Sequence, residues 1–202
     1  MSDNAQIIVD VDAGPADAEK LAAFVREWLI REGIIVAEPI KSDRGNLGGH
    51  APGANYHHAI KPNSDSVQIV WENGVQIARH VECTYGRLEF LTGRRVFDAG
   101  GNGIELECAR CEQVLSSEQV FGAHDPSYLD AVGLWFGGDE RVTFPCPWCG
   151  ERRLLTEWRG PFPWAFGYLG FKFWNWPPLA ERFIQEITGK LGHRTILVHL
   201  HI

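Results

Sequence analysis

The chain has 202 residues, 45% of them hydrophobic and 22% charged, the proportions of an ordinary globular chain, and a formal net charge of −7. That acidity makes it a poor candidate for gripping a phosphate backbone by its overall field, and a reasonable one for meeting a basic partner. No apolar run reaches the ~20 residues of a membrane span, and "MSDNAQIIVD" lacks the basic-then-apolar pattern of a secretory signal, so the expectation is a cytoplasmic protein with no membrane segment.

In chain order, "AQIIVDVD" alternates Ile7, Val9 and Val11 against Ile8, Asp10 and Asp12, which predicts a half-buried strand over residues 5–12. Pro15 suits the first turn of a helix. Leu21, Phe24, Val25, Trp28 and Leu29 then form one stripe at helical spacing, with Gly33 placed to end it. "IIVAEPI" follows as a strand, so residues 5–40 read as β-α-β. Residues 41–66 are rich in Gly, Pro, Asn and Ser and predict a long loop or a lid. Two strand-like runs on either side of Asn73-Gly74 predict a tight hairpin, because both turn positions favour positive φ. "GRLEFL" and "RRVFDAG" read as a further strand pair about Thr92-Gly93, and "GIELEC" as a strand leading into the first cysteine pair. Near the end, "WAFGYLGFKFWNWPP" reads as an aromatic strand. Leu179, Phe183, Ile187 and Leu191 predict a helix stopped by Gly192, and "RTILVHLHI" predicts a last strand.

The expected fold class is therefore α+β: ferredoxin-like βαβ units at both ends, antiparallel hairpins between them, and an inserted four-cysteine, zinc-ribbon-like module. The expected organisation is residues 1–104 as βαβ plus hairpins and 105–157 as the insert. Residues 158–202, with the aromatic strand, a helix and a final strand, then complete the first domain.

The chemistry concentrates in Cys108-Ala109-Arg110-Cys111 and Cys146-Pro147-Trp148-Cys149-Gly150, a C-x2-C…C-x2-C pattern. Each tight turn supplies two thiolates, and two turns fill the four tetrahedral positions of a structural zinc. Pro147 stiffens its turn, and Gly150 lets the chain reverse after the second ligand. The gap between the pairs, residues 112–145, is longer than the ~15–20 residues of compact ribbons. It must form an excursion of its own, a loop with a short helix. The competing readings are a redox-active C-x-x-C and an iron–sulfur or catalytic zinc site. Arg110, Arg152 and Arg153 stand where they can offset the thiolate charge or simply face solvent.

Other groups attract blander readings. Cys83 reads as a structural thiol, since His80, three residues away on a strand, points to the opposite face. Asp10 and Asp12 read as a solvated face with charges at the start of the helix. His57 and His58 with His199 and His201 are the candidates for a second metal site, a question the sequence leaves open. No phosphate-binding loop and no nucleophile elbow occurs, and no catalytic residue is assigned. Trp164, Tyr168, Trp174 and Trp176 belong to an aromatic stretch that is either buried or an exposed edge gripping a partner; in the second reading they are the partner-binding residues.

C-x2-C, "PCPWCG", "GFKFWNWPP", a helix and a short last strand together resemble uncharacterised small bacterial proteins with a C-x2-C…CPxCG zinc-ribbon-like module and a C-terminal FWNWPP segment. The resemblance covers roughly the last hundred residues. It implies a bacterial, cytoplasmic, zinc-containing protein and carries no reaction with it. The leading expectation is a zinc-stabilised protein acting by protein–protein binding, in one form an immunity- or antitoxin-like inhibitor of a basic partner. One alternative is a small-molecule enzyme with residues 41–66 as a lid over His50, His57, His58, His199 and His201. The other is a nucleic-acid-binding zinc ribbon, whose affinity must collapse with salt.

Overall fold

The computed structural model of the chain describes residues 3–41, 47–62, 67–72, 75–80, 86–100 and 103–202. The first half contains β1 (Asn4–Asp10), α1 (Ala18–Arg31), β2 (Ile35–Lys41), β3 (Leu47–Pro52), β4 (Val67–Glu72), β5 (Val75–His80) and β6 (Arg87–Phe97). The second half contains β7 (Leu106–Glu107), β8 (Val114–Leu115), α2 (Ser117–Val120), α3 (Tyr128–Phe136), β9 (Thr143–Pro145), β10 (Arg152–Leu154), β11 (Ala165–Trp174), α4 (Glu181–Leu191) and β12 (Thr195–His201). The class is α+β, with antiparallel sheets and four helices among the described residues. No helix there is long and apolar enough to cross a membrane.

Six strands form one antiparallel sheet in the order β12-β1-β11-β6-β3-β2. Helices α1 and α4 lie on one face of it. Val25, Trp28 and Leu29 of α1 and Phe183 and Ile187 of α4 meet Ile8, Leu88, Phe171 and Phe173 from the strands. The other face carries a smaller cluster of Ile7, Val9, Phe97, Ala165 and Val198. Both helices end where the sequence predicts, with Gly33 at φ +68 and Gly192 at φ +68.

Both β-α-β connections are present, and both are split by other strands. β1 and β2, joined through α1, are separated in the sheet by β11, β6 and β3, and β11 and β12, joined through α4, are separated by β1. Each pair still runs parallel, because every intervening neighbour is antiparallel. β1 is not half-buried either. It lies inside the sheet with both faces covered, and every residue from Ala5 to Asp10 is buried. Phe24, placed on the inner stripe of α1 by periodicity, is exposed instead.

Two more segments depart from expectation. Residues 47–52, inside the supposed lid, form β3, in which His50 pairs with Leu88 of β6. Glycine suits this approach, because a Cβ on Gly49 would stand 2.5 Å from the carbonyl oxygen of Leu88. Residues 87–97, expected as two strands, are one continuous strand that passes through Gly93 at φ +87. Its register against β11 slips between Gly167 and Leu169, so the chain absorbs the glycine as a bulge rather than a turn. β4 and β5 pair from Val67↔His80 to Glu72↔Val75, as the Asn-Gly spacing predicts. The turn residues Asn73 and Gly74, and also Cys83, lie outside the described residues.

Between β6 and β11 the chain builds a second core. It is drawn from Ile104 to Trp158, with Trp164 reaching in from just before β11 and Phe166 from the second residue of that strand. The excursion between the cysteine pairs holds two helices rather than one, and each opens on a serine cap. Ser116 accepts from the Gln119 N–H in a reciprocal capping box, and Ser127 accepts from the Asp130 N–H.

Candidate metal centre

Cys108 and Cys111 stand at the tip of the β7–β8 hairpin, and Cys146 and Cys149 at the tip of the β9–β10 hairpin. The two tips are copies of one structure. Each runs six residues, 108–113 and 146–151, between paired strands. In each, the first cysteine N–H donates across the tip, from Cys108 to Gln113 O (3.0 Å) and from Cys146 to Glu151 O (2.8 Å). The residue after the second cysteine donates back to the first, from Glu112 to Cys108 O (2.8 Å) and from Gly150 to Cys146 O (2.9 Å). Closing that turn requires a left-handed residue at the fifth position, and Glu112 sits at φ +57 and Gly150 at φ +70. Gly150 was legible as a chain-reversing position. The equivalent role of Glu112 was not, although aligning the tips as C-x-x-C-(Glu or Gly)-x finds it.

The sulfur atoms of the four cysteines lie within 4.8 Å of one another, an arrangement that can hold a metal ion and is the only such group among the described residues. Across the tips, Cys108 Sγ is 3.7 Å from Cys149 Sγ and Cys111 Sγ is 3.8 Å from Cys146 Sγ. Tetrahedral bonds of about 2.3 Å require sulfurs about 3.8 Å apart, so the donor set fits a thiolate-bound ion. Cys108 and Cys146 are buried, and Cys111 and Cys149 are half-buried. Burial pushes the Cys146 thiol up, to about 12. Burial opposes ionisation of Cys108 too, yet the backbone N–H groups of Cys111 and Arg110 and the neighbouring thiols hold it down, at about 7. Four such thiols can all ionise together only around a cation. Arg110 bridges the tips to Glu151 (3.1 Å) as an exposed pair, and Arg152 donates to Thr143 Oγ1 (3.2 Å) and to Asp125 O (3.0 Å).

The other residues singled out by sequence scatter. Trp164, Trp174 and Trp176 are buried and Tyr168 is half-buried. Trp164 Nε1 donates to Trp158 O (3.1 Å), and Trp174 is flanked by the cations of Lys172 (3.9 Å) and Arg87 (4.8 Å). Tyr168 O–H accepts from Arg94 Nη1 (2.8 Å). These rings are packed within the chain, and the exposed apolar side chains lie elsewhere. His50 is buried, its Nδ1 2.9 Å from Val36 O. His57 and His58 border a groove of about 660 Å³ with Trp28, Glu186 and Lys190, where His58 Nε2 meets Glu186 Oε2 at 2.8 Å. His199 and His201 border a separate groove of about 410 Å³ beside Gln6 and Trp176. The five histidines of the lidded-enzyme expectation do not converge.

The Asp10/Asp12 pair is also more than a solvated face. Asp10 is fully buried. Its Oδ1 accepts from the N–H groups of Asp12 (3.0 Å) and Ala13 (2.9 Å), and its Oδ2 lies 2.9 Å from His193 Nδ1. It ties the end of β1 to the turn before β12. Asp12 is gripped by Arg194, whose Nη2 is 2.6 Å from Oδ1.

Compared with protein-family models, with curated proteins and with solved structures, the chain matches none.

Proposed function

We propose that this is a zinc-stabilised cytoplasmic bacterial protein that works by binding another protein, the partner being basic. The observation carrying the metal half is the pair of twin hairpin tips whose sulfurs stand 3.7 and 3.8 Å apart across the site. Four thiolates supply every ligand that a tetrahedral zinc takes in a structural site, so the ion fastens two distant hairpins and keeps no position for substrate or water. The interior supports this reading. Cys108 and Cys146 belong to the same cluster as Leu106, Phe144 and Trp158, so metal binding and burial of the insert core reinforce each other.

The binding half draws on the acidic balance of −7 and on the separation of the histidines into different grooves, which removes the main motive for an enzyme reading. An inhibitor of a basic toxin is the most concrete form. A nucleic-acid role has the charge against it. For the fold, the interleaved order β12-β1-β11-β6 with α1 and α4 on one face supports a ferredoxin-like core to which β2 and β3 add an edge.

X-ray absorption on the purified protein tests the metal. One zinc per chain with four sulfurs at about 2.3 Å is expected. Iron, or a nitrogen or oxygen ligand in the first shell, overturns that half. Cross-linked purification from the native host tests the other half, which fails when no protein accompanies the chain in stoichiometric amount.

A further inference from the structure

Helix α3, Tyr128–Phe136, carries a single charged residue, Asp130, and is apolar nearly all round. Such a helix is covered on both sides in a finished assembly. Here one side is covered. Tyr128, Ala131 and Trp135 point into the insert core. On the outer side Leu129, Gly133 and Phe136 fall at i, i+4 and i+7, and Leu129 is 66% and Phe136 49% exposed. Phe121, 54% exposed, packs edge-on against Tyr128 at the start of the helix, with ring centroids 5.4 Å apart. Gly133 sharpens the picture. A Cβ there would meet nothing within 4 Å, so nothing in this chain requires glycine at a helix-interior position where it is destabilising relative to alanine. A bare backbone between two large apolar side chains leaves a notch that another chain can enter.

The charge around the notch selects the occupant. Residues 112–145 carry six carboxylates against one arginine. Arg94 and Arg152 reach this excursion from outside it, at Glu140 (3.1 Å) and at Asp125 O (3.0 Å), and the carboxylates still outnumber the cations, with Glu118, Asp125, Asp130 and Asp139 exposed. A second copy of the chain would bring the same acidic rim, and anionic lipid or nucleic acid would be repelled as well. A helix with an apolar stripe and flanking lysines or arginines satisfies both the stripe and the rim.

We propose that the outer face of α3, from Leu129 across Gly133 to Phe136, is the docking surface for a basic amphipathic helix of a partner protein. The proposal rests on the protein-binding reading above and gives it a location. The probe is a fluorescent 14-residue leucine/lysine amphipathic peptide, titrated by anisotropy into the zinc-loaded full chain at low salt. Binding is expected, at least ten-fold weaker in the double variant Leu129→Gln/Phe136→Gln and unchanged in Phe24→Gln on α1. Gly133→Gln separates docking from folding. It is expected to raise the melting temperature, because glutamine is the better helix former, and to weaken the peptide at least ten-fold by filling the notch. Equal binding of a leucine/glutamate peptide, or binding indifferent to all three α3 substitutions, overturns the proposal. So does dimerisation in the ultracentrifuge that the double variant abolishes, since the occupant is then a second copy. A native partner that cross-links to the double variant as well as to the wild type overturns this surface and leaves the protein-binding reading standing.

Discussion

Glu112 and Gly150 occupy equivalent positions in the twin hairpin tips, both left-handed, and only one is a glycine. A side chain at such a φ costs about 1–2 kcal/mol, part of which glycine gives back through its larger unfolded-state freedom. Glu112→Gly is therefore expected to stabilise the protein by about 0.5–1 kcal/mol in a denaturant titration, with metal content unchanged. Asp12 makes a pH-dependent contribution instead. The side-chain and backbone N–H groups of Arg194 hold its carboxyl at about 2, below the ordinary value of 3.8. A carboxylate depressed by folding stabilises the native state above its unfolded value, and that contribution is lost as pH falls through the folded one. Asp12→Asn should then melt below the wild type at neutral pH, with the gap closing between about pH 4 and pH 2. The gap is small, because the Asp12 and Arg194 side chains are 31% and 78% exposed and solvent screens the pair.

Among the elements, β11 bears the most weight. It pairs with β1 on one side and β6 on the other, with Phe171 and Phe173 facing the helices. On its opposite face Gly170 lies under Phe97, whose ring atoms would stand 2.6 and 2.8 Å from a Cβ. Gly170→Ala is expected to cost about 1–3 kcal/mol through this overpacking. Most of that cost should vanish in a Phe97→Ala background, where the ring is gone, and a double-mutant cycle by thermal unfolding measures the coupling. The aromatic strand itself was legible in "WAFGYLGFKFWNWPP", and so were both long helices from their periodicity and terminal glycines. β3 was not. "LGGHAP" has a loop composition, and only the carbonyl of Leu88 across the sheet explains why glycine there marks a close approach rather than a bend.

In the molecule as a whole, two cores share one strand. Trp164 and Phe166 belong to the insert cluster, while Phe171 and Phe173 further along β11 belong to the sheet-and-helix cluster. The sheet draws its burial from α1 and α4 and is independent of the cysteines. The insert has short strands, two small helices and four thiols that join the tips of its two hairpins. A strong chelator is therefore expected to strip amide protection from residues 106–158 in hydrogen exchange and to loosen the start of β11. Protection in β1, β12 and α4 should survive. Simultaneous loss in both regions would mean that the metal holds the whole chain and not the insert alone.

Sequence alone was sufficient wherever the physics is local. The two C-x2-C turns, the thiols that can hold a metal ion, the glycines that end helices and the Asn-Gly spacing between β4 and β5 depend on neighbours a few residues apart, and the acidic balance is a plain sum over the composition. Tertiary structure decided what depends on distant partners. It set β1 inside the sheet with both faces covered, buried Asp10 against His193, and packed Trp164, Trp174 and Trp176 inside the chain. It also left Leu129 and Phe136 outside. An apolar side chain has the same composition signature whether its own chain covers it or nothing does, because burial is a property of contacts between segments far apart in sequence.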